Sequence, residues 1–334
     1  MKEISTKSSL KSGWVSAVVP TYNRSNLLLG ALNSICKQTF RPIEIVVVDD
    51  GSTDDTGNAV NNWSRKNEEP GSLVVRYVVH ENQGANASRN RGIKESQGEF
   101  IAFLDSDDRW LPEKLAKQIP ILQANIDIGG LYCGLRNVDL VGEEQYLSEP
   151  RAYPAGNLLQ QLLIHDVTEA TSCWVVRREC FEKVGGFDVT LPARQDWDMW
   201  IRLSERYDIG CVQEILVELG NHAGERVRSM AQREIEAHKT IFRKYAHIRA
   251  RFPLWVSLAA RSAMYRRRGR VYFHRGISTK KAVFMQILAI CLWPFNFDSY
   301  AALVGMTLPK KLRQKAHVAW NRVFGKSKLA IKTH

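Results

Sequence analysis

Residues 99–112 read EFIAFLDSDDRWLP, an apolar run that ends in three aspartates within four positions. The three acids are Asp105, Asp107 and Asp108. Two unit charges about 6 Å apart at an effective dielectric near 20 repel each other by roughly 3 kcal/mol. Such crowding is unfavourable unless solvent or a cation compensates the negative charge. The stretch therefore predicts a buried strand that delivers three carboxylates to one place.

Other apolar runs alternate with helical patterns on the N-terminal side of this strand. Predicted strands lie at 14–22, within 42–56, at 73–80 and at 99–105, with helices at 23–38 and 84–96. This alternation predicts an α/β fold with a mixed, mostly parallel, Rossmann-like sheet flanked by helices. Ligands of such sheets bind at the carboxyl ends of the strands, and the acidic clusters follow strands at those ends. We therefore expect a binding site at this edge.

The pattern changes after Pro112. A helix is predicted at 110–122, a strand at 129–139, a polar loop at 142–156, a strand, short helix and turn within 171–188, a helix at 195–207 and a strand at 211–219. Beyond residue 221 the sequence becomes basic and mostly helical. We therefore expect a leader over 1–12, an α/β domain over 13–225 and a basic helical C-terminal extension over 226–334.

The net charge of +12 is unevenly distributed along the chain. Residues 221–334 carry 24 Lys/Arg and 4 Asp/Glu, whereas the first 220 residues carry 23 and 31. A basic tail of this kind predicts an anionic partner, and an anionic membrane surface is one interpretation. Packing of the helical tail on the first domain or on a second subunit is the other, so a homo-oligomer stays open. Basic-aromatic sequence alone is weak evidence for nucleic acid, and we expect none.

The cysteine pattern and the apolar segments bear on the compartment. Six cysteines without a CxxC pair argue against zinc and against a disulfide framework, and they suit a reducing cytoplasm. The N-terminus has no apolar core of a signal peptide. The longest apolar stretch, 282–293, would form a helix about 18 Å long, against about 30 Å for a bilayer core. We expect a cytoplasmic protein, with peripheral attachment to the inner face of the cell membrane if the tail binds lipid.

Two acidic segments are candidates for chemistry. In DSDD, one aspartate is enough to cap the following helix, and the excess suggests Mg²⁺ or Mn²⁺ shared with substrate phosphates. In VVVDDGSTDDT, Asp49 or Asp50 either caps the next helix or accepts hydrogen bonds from a base or a ribose. The sequence contains neither GxGxxG nor GxxxxGK[ST], so dinucleotide-binding and P-loop interpretations lose their main support.

The helix at 195–207 has an apolar stripe that begins with an acid. Asp196, Trp200 and Leu203 follow i, i+4, i+7 spacing and share one face. Asp198 and Arg202 lie on the other side, where a solvated ion pair is the simplest interpretation. Asp196 is then either a helix cap or a general base in a cleft, with a neighbouring tryptophan ring available to a sugar.

An ordered set of motifs resembles the family-2 glycosyltransferases of the GT-A fold. The motifs are VSAVVPTYNR, ICKQTFRPIEIVVVDDGSTDDT, NQGANASRNRGI, GEFIAFLDSDDRWLPEKL, GGFD and QDWDMWIRL, which run in family order over about residues 14–222. The resemblance implies an inverting, metal-dependent enzyme. Such an enzyme moves a sugar from a nucleotide-diphosphate donor, here most simply a UDP-sugar, to a hydroxyl of a glycan or lipid-linked acceptor in bacterial cell-surface polysaccharide or glycolipid assembly.

The same resemblance assigns roles to residues. The catalytic base would be Asp196, and the cofactor would be Mn²⁺ or Mg²⁺. The nucleotide would contact Pro20, Thr21, Tyr22, Asp49, Asp50, Arg89, Asp105 and Ser106. The metal would contact Asp105 and Asp107, with Asp108 and His222 as further candidate ligands. The sugar or the acceptor would lie near Gly185, Gly186, Trp197 and Trp200. The family often has glutamate before the base, and Gln195 stands there instead.

Two alternatives to a glycosyltransferase stay open from the residues. A nucleotidyltransferase also uses acidic strand ends and a metal, but it usually needs a basic phosphate-binding loop, and PTYNRSN is a poor one. A non-catalytic nucleotide-sugar or nucleic-acid binding protein is the other, and the acid on the 195–207 helix speaks against it.

Overall fold

The computed structural model describes residues 10–138, 152–220, 229–274 and 276–307. The elements in chain order are β1 (Lys11–Thr21), α1 (Ser25–Cys36), β2 (Ile43–Asp49), α2 (Thr56–Asn67), β3 (Leu73–Val79), α3 (Ala85–Glu95), β4 (Gly98–Phe103), β5 (Arg109–Trp110), α4 (Lys114–Ala124), β6 (Ile128–Val138), α5 (Leu159–Ile164), β7 (Val175–Arg177), α6 (Arg178–Val184), α7 (Gln195–Ser204), β8 (Asp208–Gly220), α8 (Ser229–Lys244), α9 (Ala246–Arg249), α10 (Leu254–His274), α11 (Thr279–Leu292) and α12 (Phe297–Thr307). A 3-10 turn covers Thr171–Cys173.

The chain divides into two compact units. The first comprises Met1–Leu159, Val167–Thr190 and Gln195–Ala223, and the second comprises Gln160–Asp166, Leu191–Arg194 and Gly224–His334. Two short segments from within the predicted 13–225 domain therefore cluster with the C-terminal helices. Most of the predicted loop at 142–156 lies outside the described residues, and so does the predicted site residue His222.

The first unit is built on an eight-stranded mixed sheet with the order β3-β2-β1-β4-β7-β6-β8-β5. The strands β3, β2, β1 and β4 run parallel to one another, whereas β7 pairs antiparallel with both β4 and β6. All seven residues of β2 are buried, which is why its sequence is a near-continuous apolar run. The α/β class and the mostly parallel first half of the sheet are confirmed.

An aromatic stack fills the core beside β6, β7 and α7. The Trp174 and Trp200 rings lie parallel with centroids 3.6 Å apart, and Tyr132 stacks on Trp174 at 5.1 Å. The Phe187 ring packs against Trp200 in a T-shaped arrangement, with the ring centroids 6.3 Å apart. These rings bury large apolar areas and fix the position of α7 against the sheet.

The second unit is helical, and its main contact is between α10 and α11. Ser262 on α10 donates a hydrogen bond to the Ala289 carbonyl at 2.7 Å and accepts one from the Asn296 amide at 2.8 Å. Gly269 allows the close approach, because a Cβ there would lie 3.0 Å from the Ala282 carbonyl oxygen. Within the described ranges, no helix is both long enough and apolar enough to cross a membrane.

Candidate active site

The carboxyl ends of β1, β2 and β4 bring the predicted polar residues to one edge of the sheet. Thr21 at the end of β1 is in register with Asp49 at the end of β2. The Asp50 amide donates a hydrogen bond to the Thr21 carbonyl at 2.9 Å, and the Leu104 amide donates one to the Val18 carbonyl. DSDD therefore begins beside the β1 and β2 ends, as parallel pairing requires.

Two arginines face the first acids of DSDD. Arg24, immediately before α1, donates from Nη1 to Asp107 Oδ2 at 2.7 Å. Arg89 on α3 pairs through Nη2 with Asp105 Oδ1. The Asp107 side chain is 14% exposed and the Asp105 side chain 34%. In the protein itself, then, guanidinium groups supply positive charge to this pair of carboxylates.

Asp108 is built into the protein differently from its two neighbours. Its side chain is buried, Ser172 donates a hydrogen bond to Oδ2, and the Gly220 amide donates one to Oδ1 at 3.1 Å. Burial raises the pKa of Asp108 well above its usual range, and the charge of Asp105 raises it further. Both carboxylate oxygens of Asp108 therefore have a structural role, because their hydrogen bonds connect DSDD to the 3-10 turn and to the end of β8.

Asp49 and Asp50 also serve as anchors for loops. Asp50 accepts hydrogen bonds from the amides of Gln83 and Gly84, both at 2.8 Å, and so holds the segment that enters α3. Asp49 accepts one from the Ser52 amide at 2.8 Å and one from the Tyr77 hydroxyl. Burial and this contact with Asp49 raise the pKa of Tyr77. Each of the four carboxylate oxygens of Asp49 and Asp50 therefore already accepts a hydrogen bond within the protein. The structure shows no unused carboxylate oxygen for the predicted contact with a base or a ribose.

Other predicted nucleotide contacts do present unused polar atoms. Over the described ranges, Thr21 Oγ1 and Arg89 Nε are buried without a hydrogen-bond partner. Buried polar groups are nearly always satisfied, so each points to a ligand or an ordered water. Tyr22 is 45% exposed and follows Thr21 directly, whereas Pro20 lies inside β1 and Ser106 is buried.

The predicted base lies in the first turn of α7. Asp196 is partly buried, and its Oδ1 accepts a hydrogen bond from the Trp197 amide at 2.8 Å. Trp200 is fully buried, and Trp174 covers one face of its ring. This burial contradicts the prediction that the Trp200 ring is available to a sugar. Trp197 is also buried, with 5% exposure.

The prediction that Asp198 and Arg202 form a solvated ion pair was wrong. Asp198 has no exposed surface, and Arg202 Nε donates to Asp198 Oδ2 at 3.0 Å. Arg202 also donates from Nη2 to the Gly186 carbonyl at 2.8 Å and from Nη1 to the Val184 carbonyl. The turn after α6 covers this side of α7, so Asp198 is fully buried and Arg202 is only partly exposed.

The predicted acceptor glycines shape that same turn. Gly185 has φ 75°, a left-handed conformation that ends α6 without strain. Asn90 on α3 donates to the Phe187 carbonyl at 2.9 Å and accepts from the Phe187 amide at 2.7 Å. The guanidinium carbon of Arg89 lies 5.7 Å from the Phe187 ring centroid. The turn therefore links α7 to the arginine that pairs with Asp105.

The donor set for a divalent cation is small. Among the residues that the structure describes, no group of three or more His, Cys, Asp or Glu side chains is arranged to hold a metal ion. Mg²⁺ and similar cations are usually held by one or two carboxylates together with substrate phosphates and water. Asp105 and Asp107 fit that pattern, since they are carboxylates two residues apart that follow the carboxyl end of β4.

Sequence reasoning missed three residues that organise the site, Arg24, Asn90 and Ser172, and it placed Arg202 in solvent. Arg24 is part of the PTYNR motif, so its presence beside the site could have been inferred. The contact between Ser172 and Asp108 joins residues 64 positions apart, and no local pattern reports it.

Comparisons with known proteins identify the family of this sequence. The family model described as Glycosyl transferase family 2 matches residues 16–185. An uncharacterized glycosyltransferase of Rickettsia prowazekii is 29% identical over 241 residues, which make up 71% of this chain and 72% of that protein.

Solved structures show the fold. S. aureus TarS superposes with a TM-score of 0.56 at 18% identity, covering 93% of this chain but only 53% of TarS. The mannosyltransferase PcManGT from Pyrobaculum calidifontis, in complex with GDP-Man and Mn²⁺, gives a TM-score of 0.52 at 20% identity, covering 92% of this chain and 87% of that one. The chain thus spans about half the length of TarS. With its GT-A fold and a family match over half of its length, this chain belongs to glycosyl transferase family 2 and is a glycosyltransferase.

Proposed function

We propose that the protein is a metal-dependent, inverting glycosyltransferase that uses a nucleotide-diphosphate sugar. Its acceptor would be a hydroxyl of a glycan or lipid-linked molecule in bacterial cell-surface polysaccharide or glycolipid assembly. One observation carries the proposal: two carboxylates, each faced by an arginine, lie at the ligand-binding edge of the sheet. This mixture of opposite charges suits a ligand that carries both a diphosphate and a cation.

The nucleoside half of the donor would contact the β1 end and α3. The buried Thr21 Oγ1 and Arg89 Nε lack partners in the described structure, and the exposed Tyr22 ring offers a stacking face. A TarS crystal structure in complex with UDP-GlcNAc, with a TM-score of 0.55, supports a UDP-sugar as the first donor to test. The GDP-Man complex of PcManGT makes a GDP-sugar the second.

Asp105 and Asp107 would hold Mn²⁺ or Mg²⁺ together with the donor phosphates. The bound cation would supply positive charge to the departing diphosphate, an effect worth several kcal/mol in metal-dependent transfer. The Mn²⁺ in the PcManGT structure supports this cofactor class. Arg24 and Arg89 would stay within reach of the same phosphates and share the charge.

Asp196 would act as the general base. The acceptor oxygen attacks the anomeric carbon, the bond from that carbon to the diphosphate oxygen breaks, and the acceptor proton passes to Asp196. Attack on the face opposite the leaving group inverts the anomeric configuration. A positioned base typically contributes 10²–10⁴-fold, and the hydrogen bond from the Trp197 amide fixes its carboxylate.

The decisive experiment replaces Asp196 by Asn and measures transfer and donor binding separately. We expect transfer to fall by at least about 100-fold, because the base is lost, while calorimetry gives an unchanged donor affinity. Asp208→Asn, which neutralises an exposed acid, is the matched control and should behave as wild type. Near-normal transfer by the Asp196 variant would overturn the assignment.

Metal removal tests the other half of the proposal. Protein treated with EDTA should lose release of free nucleotide from UDP-, dTDP- and GDP-sugars, and Mn²⁺ or Mg²⁺ should restore it for one donor. Full activity in excess chelator would contradict metal dependence and leave the family assignment intact.

A further inference from the structure

The helix α11 in the second unit is apolar on two sides. Its inner side, with Ala282, Gln286 and Ala289, is buried against α10. Its outer side carries Phe284 at 55% exposure and Ile287 at 45%. A helix that is apolar all round is normally buried all round. Among the residues that the structure describes, none covers the outer face of α11 at Phe284 and Ile287.

The exposed residues form a continuous pattern rather than isolated positions. Lys280, Phe284, Ile287 and Cys291 follow i, i+4, i+7, i+11 spacing and so share one face of α11. Beyond the end of this helix, Phe295 and Phe297 are exposed by 61% and 46%. We call Lys280, Lys281, Phe284, Ile287 and Cys291 the α11 face. Six of the twelve large hydrophobic side chains that are exposed in the described residues lie between 276 and 307.

The charge of this region selects the partner. Lys280 and Lys281 are exposed at the start of α11. Asp298 is the only acid from residue 237 to the end of the sequence, and it pairs with Arg266. A second copy that met this face with its own α11 helix would bring the same two lysines and would not neutralise them. A surface that is both anionic and apolar beneath its charges complements it.

We propose that the α11 face attaches the protein to anionic phospholipid, with the helix lying in the plane of the membrane interface. Fourteen residues of helix span about 21 Å, short of the about 30 Å of a bilayer core, so α11 inserts one side only. Phe284 and Ile287 enter the acyl boundary, and the two lysines contact lipid phosphates. This inference goes beyond the proposed reaction and does not depend on its donor.

Flotation of the full chain with vesicles tests the attachment. The probes are vesicles of phosphatidylcholine with 30 mol% phosphatidylglycerol and vesicles of phosphatidylcholine alone. We expect the protein to float with the anionic vesicles and to stay at the bottom with the neutral ones. Equal recovery with both kinds, or with neither, would overturn the proposal.

Matched variants locate the contact. Phe284→Asp with Ile287→Asp should weaken vesicle binding at least about tenfold, whereas Leu10→Asp with Ile126→Asp, the same change at exposed apolar positions of the first unit, should leave it unchanged. Lys280→Glu with Lys281→Glu alters only exposed charges and should also weaken binding to anionic vesicles. If the two double variants of the α11 face float like wild type, the proposal fails.

A label on Cys291 reports insertion directly. Cys291 is the exposed cysteine of the six, and its thiol can carry an environment-sensitive nitrobenzoxadiazole group. Its emission should shift to the blue with anionic vesicles. An unshifted spectrum would overturn insertion of this face. A larger particle by light scattering that the Phe284/Ile287 variant converts to monomer while vesicle binding persists would instead assign the face to a second copy. Because flotation does not read transfer, failure here leaves the proposed reaction untouched.

Discussion

At the residue scale, the three acids of DSDD have three different environments. Asp105 and Asp107 face arginines and keep part of their surface exposed. Asp108 is buried, with a hydroxyl on one oxygen and a backbone amide on the other. A carboxylate whose two oxygens already accept hydrogen bonds inside the protein is poorly placed to coordinate a cation. The first two acids are therefore the ligands to test, and the last is an anchor for the turn.

Asparagine substitutions should separate these roles. Asp107→Asn should lower Mn²⁺ affinity in the presence of nucleotide by at least about tenfold, because it removes a charged oxygen ligand. Asp108→Asn should keep Mn²⁺ affinity close to wild type, since an amide can still accept from Gly220 and donate to Ser172. Titration of free Mn²⁺ by electron paramagnetic resonance measures both. The reverse order of effects would make Asp108 the ligand.

Lys114 predicts a pH dependence of stability. It has no exposed surface, its Nζ has no hydrogen-bond partner in the described ranges, and Nζ lies 4.2 Å from the Trp110 ring centroid. Burial lowers the pKa of Lys114 to about 8, from 10.5. Between these values the unfolded chain binds more protons than the folded one, so the free energy of unfolding rises with pH. Below pH 8 the full cost of the buried charge remains.

Comparison with Lys114→Met isolates this effect. At pH 7.5 the variant should be the more stable protein, and its advantage should shrink by about 3 kcal/mol as the pH rises to 10.5, at 1.36 kcal/mol for each pKa unit. Urea denaturation at four pH values measures the difference. The control is Lys117→Met on the same helix. Lys117 is partly exposed and is paired with Glu113 and Glu214, so the stability difference between this variant and wild type should not shift in favour of wild type from pH 7.5 to 10.5. A constant difference for Lys114→Met would contradict the buried charge.

At the element scale, α7 shows what sequence periodicity reports and what it omits. The i, i+4, i+7 stripe correctly predicted that Trp200 and Leu203 point into the core. The same rule placed Asp198 in solvent, because it treats a helix as having one buried side. The turn around Gly186 covers the opposite side, and its position depends on Asn90 in α3, almost a hundred residues away. Long-range cover of this kind has no local signature.

The Asp198–Arg202 pair should be strongly coupled. Arg202→Met removes the positive charge beside a buried carboxylate and should cost about 3 kcal/mol of unfolding free energy. Asp198→Asn with Arg202→Met removes both charges and should be less destabilised than Arg202→Met alone. A double-mutant cycle by urea denaturation measures the coupling. If the single effects add without coupling, the pair acts as the surface ion pair that its spacing suggested.

The sheet divides in the same way between predictable and unpredictable parts. The strands β1 to β4 could be read from apolar runs, and α1 and α3 from helical patterns, although α2 was not predicted. Parallel pairing of these strands put Thr21, Asp49 and Asp105 at one edge. The antiparallel pairing of β7 with β4 could not, since β7 is three residues long and pairs with a strand more than seventy positions earlier. Ser172, which anchors Asp108, lies just before that short strand.

At the scale of the whole molecule, the charge distribution and the α11 face make separate contributions to membrane binding. The excess of 20 positive charges in residues 221–334 acts at a distance and is screened by salt. Each Lys or Arg near an anionic surface contributes about 1 kcal/mol at low salt. Burying a Phe or Ile side chain fully contributes about 1.5–3 kcal/mol and is not screened. The two contributions can therefore be told apart by ionic strength.

We expect the wild-type chain to keep part of its binding to anionic vesicles at 1 M NaCl, where the Debye length has fallen from about 10 Å at 0.1 M to about 3 Å. The Phe284→Asp/Ile287→Asp variant should bind weakly at 0.1 M NaCl and not at all at 1 M, because only charge attraction remains. Vesicle binding by the Lys280→Glu/Lys281→Glu variant should depend less on salt than binding by the Phe284→Asp/Ile287→Asp variant. Flotation across the salt series measures all three. If wild type and the Phe284/Ile287 variant lost binding along the same curve, charge alone would hold the protein on the membrane, and the exposed Phe284 and Ile287 side chains would need another partner.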